Sequence, residues 1–312
     1  MGSETHAKVP VINFSKETLK PGTNSWSLTC KEVRRAIEEY GTFLAIYDKV
    51  SEELEKAIYN AGKELFDLPI ESKERNNTER TYHGYVGDVP VIPLHESTGI
   101  DNATTLEGVQ KFTSLMWPNG NEKFSETVLS YSKLVAELDQ MIQKMIFESY
   151  GVDKYFEPHK ESSYYLLRLM KYRVPDASEG NLGFRPHTDK SFAAIIQQLY
   201  LDGLEIETKD GQWIACELLP YSYVYLAGDA LMGWSNGRIQ SAKHRVILNT
   251  KEVRYSTGVF SFSTGMIQVP EELVDDQNPL RYKSFDHQSF LRFFETEEGR
   301  NAVSPIQVYS GV

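Results

Sequence analysis

The sequence predicts a mainly β core, a sandwich, barrel or jelly roll, flanked by helices. Three observations predict it. After Ser162 the hydrophobic period changes from 3.6 to 2. Short strand candidates then recur at 164–172, 192–200, 204–208, 212–216, 222–227, 243–249 and 254–262. Turn dipeptides separate them, among them Asp202-Gly203, Asp210-Gly211, Gly228-Asp229 and Asn236-Gly237. Many short strands at such spacing are the pattern of closed or stacked antiparallel sheets.

The first half is mixed and rich in helix. Val9 to Phe14 is a short strand candidate. The spacing predicts a helix from Lys31 to Tyr40, because Val33, Ile37 and Tyr40 share a face. Gly41 ends it and Thr42 to Tyr47 reads as a strand. Ser51 is an N-cap followed by Glu52 and Glu53, and Leu54, Ile58, Ala61 and Leu65 continue at helical spacing up to Pro69. Residues 75–108 are polar, without a clear period, and are expected to form a long functional loop. Ser125 to Tyr150 carries the widest apolar stripe and is expected to be a scaffold helix. Residues 284–299 return to helix, with Phe290, Phe293 and Phe294 as the apolar face.

Composition narrows the function classes. Of 312 residues, 40% are hydrophobic and 25% charged, which suits a globular chain. The net charge is 33 − 44 = −11, so nucleic acid and anionic membranes are not the expected partners. Cys30 and Cys216 are the only cysteines, which suits a reducing compartment. Met1 to His6 is polar and lacks the apolar stretch of a signal peptide. A cytoplasmic monomer acting on a small molecule is expected.

Four features carry chemistry. In His187-Thr188-Asp189, residues two apart on a strand share a face, which sets an imidazole beside a carboxylate. These are two members of the facial triad that leaves open positions on Fe(II). A third ligand must come from another strand, and His244 is the candidate. Arg254 and Ser256 also share a face, and a guanidinium fork with a hydroxyl suits an anionic carboxylate. Tyr172 can add its hydroxyl. Taken singly, each has a plain alternative: a hydrogen-bonded strand histidine, an exposed histidine, a surface ion pair, a core tyrosine.

In this order and spacing, the chain resembles the plant 2-oxoglutarate- and Fe(II)-dependent dioxygenases. Val9 to Phe14 is similar to the family's opening strand, Tyr40-Gly41-Thr42-Phe43 to its aromatic-glycine segment, and Leu65 to Pro69 with Lys73 to its Phe-x-Leu-Pro signature. Tyr82-His83-Gly84-Tyr85 resembles its Gly-Tyr loop, and Ser235-Asn236-Gly237 is also family-like. Two positions depart from the pattern. Met170 stands where an asparagine often helps to hold 2-oxoglutarate, and Tyr47-Asp48-Lys49 replaces Asn-His-Gly.

The resemblance implies a double-stranded β-helix (jelly-roll, cupin-like) core with an N-terminal α/β region over 1–120. The Fe(II)/2-oxoglutarate domain would fill 121–312, closed by a C-terminal helix. It implies His187, Asp189 and His244 as iron ligands, with Arg254, Ser256 and Tyr172 on 2-oxoglutarate. O2 is the other co-substrate and ascorbate the reductant. Tyr47, Phe112, Met116, Phe260, Phe262 and Phe290 are the expected substrate wall, and Tyr82 and Tyr85 the lid or loop anchors. Within the family, the Met-Lys-Tyr-Arg variant resembles lignan-pathway members. That implies oxidative ring closure of yatein to deoxypodophyllotoxin, with release of succinate and CO2. Hydroxylation, desaturation or O-demethylation of another plant metabolite uses the same motifs. A non-catalytic binding protein and a zinc hydrolase are the readings of other classes.

Overall fold

A computed structural model of the chain describes residues 8–78 and 80–312. The Met1 to His6 segment lies outside the described residues. The elements run β1 (Val11–Asn13), α1 (Asn24–Tyr40), β2 (Thr42–Ile46), α2 (Glu52–Phe66), α3 (Ile70–Lys73), β3 (His95–Ile100), α4 (Leu106–Met116), α5 (Glu122–Ser149) and α6 (Phe156–Ser162). Then follow β4 (Ser163–Tyr172), β5 (Leu182–His187), β6 (Ala193–Leu199), β7 (Leu204–Glu207), β8 (Trp213–Ala215), β9 (Ser222–Ala227), α7 (Asp229–Trp234), β10 (His244–Ile247) and β11 (Arg254–Ser263). The chain closes with β12 (Met266–Ile267), β13 (Phe285–Asp286), α8 (His287–Phe293), α9 (Glu297–Asn301) and α10 (Pro305–Ser310).

Two sheets make the core. The larger has seven strands in the order β1-β2-β9-β6-β11-β4-β3, and the smaller has four in the order β5-β10-β7-β8. Only the β1–β2 pair among these is parallel. Between the sheets, Leu44, Met170, Ile196 and Leu226 of the larger pack with Leu204, Ile206 and Val246 of the smaller. The outer face of the larger sheet is buried too. Phe43, Ala45 and Val259 meet Val33 and Ile37 of α1, Ile58 and Leu65 of α2, and Ile142 of α5. This is the architecture of a double-stranded β-helix backed by helices.

Helix ends follow from short polar caps. Thr23, Ser51 and Asn121 cap α1, α2 and α5, each accepting a backbone N–H three residues on. Polar anchors fix α5 on the sheet: the Tyr131 hydroxyl donates to Gln197 Oε1 at 2.8 Å and lies 2.6 Å from Thr257 Oγ1. Along the same helix, Leu138, Ile142 and Ile146 are fully buried, each contributing roughly 1.5–3 kcal/mol.

Gly41 makes the α1–β2 corner. Its φ is +69°, and a Cβ there would lie 2.5 Å from the Gln240 carbonyl oxygen.

The structure corrects several expectations. α1 starts at Asn24 rather than Lys31, because Thr23 caps it and Trp26 and Cys30 are buried. The polar stretch 75–108 contains β3 and the start of α4. β3 hides polar residues, and Asn76 Nδ2 satisfies Thr98 Oγ1 and the Gly99 carbonyl at 2.8 Å each. The period predicts neither α6 nor α7, and the strand expected at His187-Thr188-Asp189 is β5, which ends at His187. The 284–299 helix is broken, because Asp286 starts α8 by accepting from Ser289 N at 2.7 Å, while Thr296 starts α9.

Candidate active site

The site is built on the inner faces of both sheets. His187 ends β5 and His244 opens β10, and the two are directly paired across the antiparallel register. Their ring centroids are 4.1 Å apart. Asp189 lies in the bend after β5 rather than in the strand, so its approach to His187 comes from the bend and not from strand alternation. His187 Nε2 is 3.6 Å from Asp189 Oδ1, and His244 Nε2 is 3.9 Å from Asp189 Oδ2.

Both tautomers are fixed by the backbone. His187 Nδ1 donates to the Arg185 carbonyl at 2.9 Å, and His244 Nδ1 to the Ala242 carbonyl at 3.0 Å. A carbonyl can only accept, so the protons sit on Nδ1 and both Nε2 lone pairs face Asp189. Burial, reinforced by His244, holds the His187 imidazole well below the usual histidine range. Burial raises the Asp189 carboxyl, while His244 and Lys190 oppose that rise.

Asp189 Oδ2 is buried and has no hydrogen-bond partner. An orphaned carboxylate oxygen beside two imidazole nitrogens that carry free lone pairs can hold a cation. One ligand atom from each of the three residues lies within 4.8 Å of the others. The donor set of two imidazoles and one carboxylate fits Fe(II) and leaves further positions for small ligands.

Arg254 opens β11 of the larger sheet and is 1% exposed. Its Nε donates to the Asp202 carbonyl at 2.8 Å, Nη1 to Ser256 Oγ at 3.2 Å, and Nη2 to Gln198 Oε1 at 3.0 Å. No carboxylate among the described residues pairs with it, so its charge is left for an anionic ligand. Burial lowers its pKa, and Tyr172 offsets part of that. Tyr172 is its cross-strand partner, with the guanidinium 5.0 Å from the ring centroid. The Tyr172 hydroxyl has Met170 Sδ at 4.0 Å as a weak acceptor.

Two contributors escaped the sequence reading. Gln198 braces Arg254 while accepting from Leu204 N at 2.9 Å and donating to the Cys216 carbonyl at 2.9 Å. The signal was Gln197-Gln198 inside an otherwise apolar strand, where only buried partners can accommodate the amides. Arg168 shares the inner face of β4 with Met170 and Tyr172. It donates to Ser97 Oγ at 2.8 Å and to the Tyr82 carbonyl, tying down the segment before β3. Burial lowers it to about 10.

The expected substrate wall divides. Phe260 and Phe262 are on the inner face of β11 with Arg254 and Ser256. Tyr47, Phe112, Met116 and Phe290 instead pack in the helix-side core, on the far side of the larger sheet or under the C-terminal helices. Tyr47 lies edge-on to Tyr223, Phe112 stacks on Phe124, and Phe290 meets Phe285 and Tyr309. Of the loop tyrosines, Tyr82 contacts Phe294 at 5.6 Å between centroids, and Tyr85 donates to Glu96 at 2.9 Å.

Comparison with known proteins gives the same reading. Residues 149–263 match the 2OG-Fe(II) oxygenase superfamily, and residues 9–93 match the N-terminal region of the non-haem dioxygenase in morphine synthesis. A probable 2-oxoglutarate-dependent dioxygenase of Arabidopsis thaliana, AOP1.2, is 44% identical over 311 residues, covering 97% of this chain and 96% of its own. The chain belongs to the 2OG-Fe(II) oxygenase superfamily. This oxygenase is also 33% identical to the 2-oxoglutarate-dependent dioxygenase AOP3 of the same plant, over 98% of each chain. Among solved structures, it resembles the rice dioxygenase for auxin oxidation with a TM-score of 0.81 at 26% identity, covering 98% of this chain and 100% of that one. JOX2 in complex with 2OG, Fe and JA shares the fold, with a TM-score of 0.80 at 23% identity over 97% of this chain and 89% of that one. The oxygenase uses Fe(II) and 2-oxoglutarate. No helix among its described residues is long and apolar enough to cross a membrane.

Proposed function

We propose that this oxygenase oxidises a small organic molecule, with His187, Asp189 and His244 holding the iron and Arg254, Ser256 and Tyr172 holding the distal carboxylate of 2-oxoglutarate. One observation carries the proposal. The orphaned Asp189 oxygen and the carboxylate-free Arg254 share one interior, supplying a cation site and an anion site for a bridging 2-oxoacid.

When bound, the iron supplies oxidative decarboxylation of 2-oxoglutarate by O2 to succinate and CO2, coupled to hydrogen removal from the substrate. The chain supplies position. The carbonyls of Arg185 and Ala242 hold the two imidazoles in their ligating tautomer. Gln198 and the Asp202 carbonyl keep the Arg254 fork facing inward, so the co-substrate enters in one orientation. Phe260 and Phe262 give an apolar flank that excludes water.

In this reading, 1–120 is the N-terminal region, whose β1, β2 and β3 extend the larger sheet, and 121–312 carry the chemistry. The buried free thiols Cys30 and Cys216 suit a reducing compartment such as the cytoplasm, and we take the chain to act as a monomer. Ring closure of yatein is one reaction to test, beside hydroxylation, desaturation and O-demethylation. The rice relative is named for auxin oxidation, which makes indole-3-acetate a second probe. The test is incubation with Fe(II), ascorbate, 2-oxoglutarate and each compound in air, read by mass spectrometry. Loss of two hydrogens from yatein with matching succinate, in a product that co-elutes with deoxypodophyllotoxin, supports ring closure, the same loss without co-elution supports desaturation, and gain of one oxygen on either compound supports hydroxylation. Absence of metal-dependent succinate under all conditions overturns the enzymatic reading.

A further inference from the structure

A buried ion pair stands directly behind the metal-binding bend. Lys190 follows Asp189 in the chain, and its ammonium lies 2.8 Å from Asp229 Oδ2, with side chains 9% and 3% exposed. No other group among the described residues hydrogen-bonds Asp229 Oδ2, so Lys190 is the charge that compensates it. The Lys190 ammonium does donate to the Thr188 carbonyl at 2.7 Å and to Thr188 Oγ1 at 3.0 Å. It thus reaches back across Asp189 and closes the bend on itself.

Two further tethers hold the same three residues. Asp229 N, at the first turn of α7, donates to the Asp189 carbonyl at 2.8 Å. His287, the first residue of α8, accepts from Ser263 N at Nδ1 at 3.0 Å and donates from Nε2 to the Lys190 carbonyl at 2.9 Å. Asp229 therefore grips the bend twice, by its backbone at Asp189 and by its carboxylate at Lys190.

A buried ion pair is weak evidence for stability, because desolvation offsets most of the attraction. A cation beside a metal site is also unfavourable for metal binding unless it does something else. We propose that Lys190 is a positioning residue for Asp189: pinned on Asp229 and Thr188, it holds the bend so that the carboxylate faces the two imidazoles. The proposal rests on the assignment of Asp189 as a metal ligand.

Sign separates positioning from simple electrostatics. If charge alone mattered, removing the Lys190 ammonium would tighten the binding of a divalent cation. If Lys190 positions Asp189, removing it weakens binding. The experiment is titration of Mn(II) into the metal-free protein by calorimetry, for wild type, Lys190→Met and the double variant Lys190→Met/Asp229→Asn. The expected result is roughly tenfold weaker Mn(II) binding in Lys190→Met, in the range typical of groups that orient ligands. The double variant leaves no unpaired buried charge, so it is the control for folding, and it is expected to bind as weakly as the single one. The visible spectrum of the Co(II)-loaded protein gives a second readout, and a changed band shape in both variants is expected. Mn(II) affinity equal to or tighter than wild type in the folded variants overturns the proposal. A wild-type protein that takes up no Mn(II) overturns instead the metal-site assignment on which it rests.

Discussion

His187 and His244 stand opposite each other across the β5–β10 pair, each with Nδ1 tied to the carbonyl two residues earlier in the chain. The same local bond is made twice, so two unrelated segments present the same ring nitrogen to one point. The carboxylate arrives separately, from a bend held by α7 and α8.

Removing that carboxylate is the most direct test of the site. Asp189→Ala is expected to lower metal affinity by more than ~100-fold, beyond the range for groups that only orient ligands. Metal-dependent succinate formation is expected to fall to background. Normal 2-oxoglutarate consumption by the variant would remove Asp189 from the ligand set.

Arg254→Lys separates the co-substrate site from the metal. The guanidinium bonds Asp202, Ser256 and Gln198 at once, and a single ammonium cannot reproduce that fork. The KM for 2-oxoglutarate is expected to rise roughly 10- to 100-fold, with Mn(II) affinity unchanged. Equal KM values in steady-state assays would place the distal carboxylate elsewhere.

Asp139 gives the fold a pH dependence. Burial on α5 raises its carboxyl from 3.8 to about 7, although Tyr165, Ser261 and Gln143 hold it down in part. Between these values the folded chain keeps a proton that the unfolded chain has lost. Stability contributed by this group therefore falls as pH rises from about 4 to about 7 and is level above that. Asp139→Asn is expected to flatten that slope in denaturant midpoints measured across the window. An unchanged slope would mean the carboxyl titrates normally.

Gly41→Ala tests the corner that joins α1 to the core sheet. The left-handed φ and the 2.5 Å approach of the Gln240 carbonyl both oppose a side chain. The expected cost is roughly 1–3 kcal/mol in unfolding free energy. Because Ala242 N bonds the Ala227 carbonyl and Ala242 O holds His244, a weaker metal affinity is expected alongside.

The residues of the candidate site were easier to pick out in the sequence than the strand order. His187, Asp189, His244 and Arg254 stand out because imidazole, carboxylate and guanidinium are rare within or beside buried strands and need partners. The helix α5 was legible because its stripe is wide and long. β3 was not, because its buried Ser97 and Thr98 are satisfied by hydrogen bonds rather than by apolar contact. The substrate wall was only half legible for a related reason. Tyr47 and Phe260 are both large apolar residues on the larger sheet or at its end, and both faces of that sheet are buried. Hydrophobicity marks burial, not which of two cores receives the side chain.

β11 shows what this two-sidedness does. Arg254, Ser256, Gly258 and Phe260 point between the sheets, Phe262 on the same face packs against Tyr164 and Leu291 of α8, and Tyr255, Thr257, Val259 and Ser261 meet the helices on the other. Mutational sensitivity along this strand is therefore expected to alternate like a two-colour thread. Changes at even positions will register in turnover and selectivity, and changes at odd positions in thermal midpoint. New substrate preferences can be written into one set of beads while the other keeps the scaffold intact.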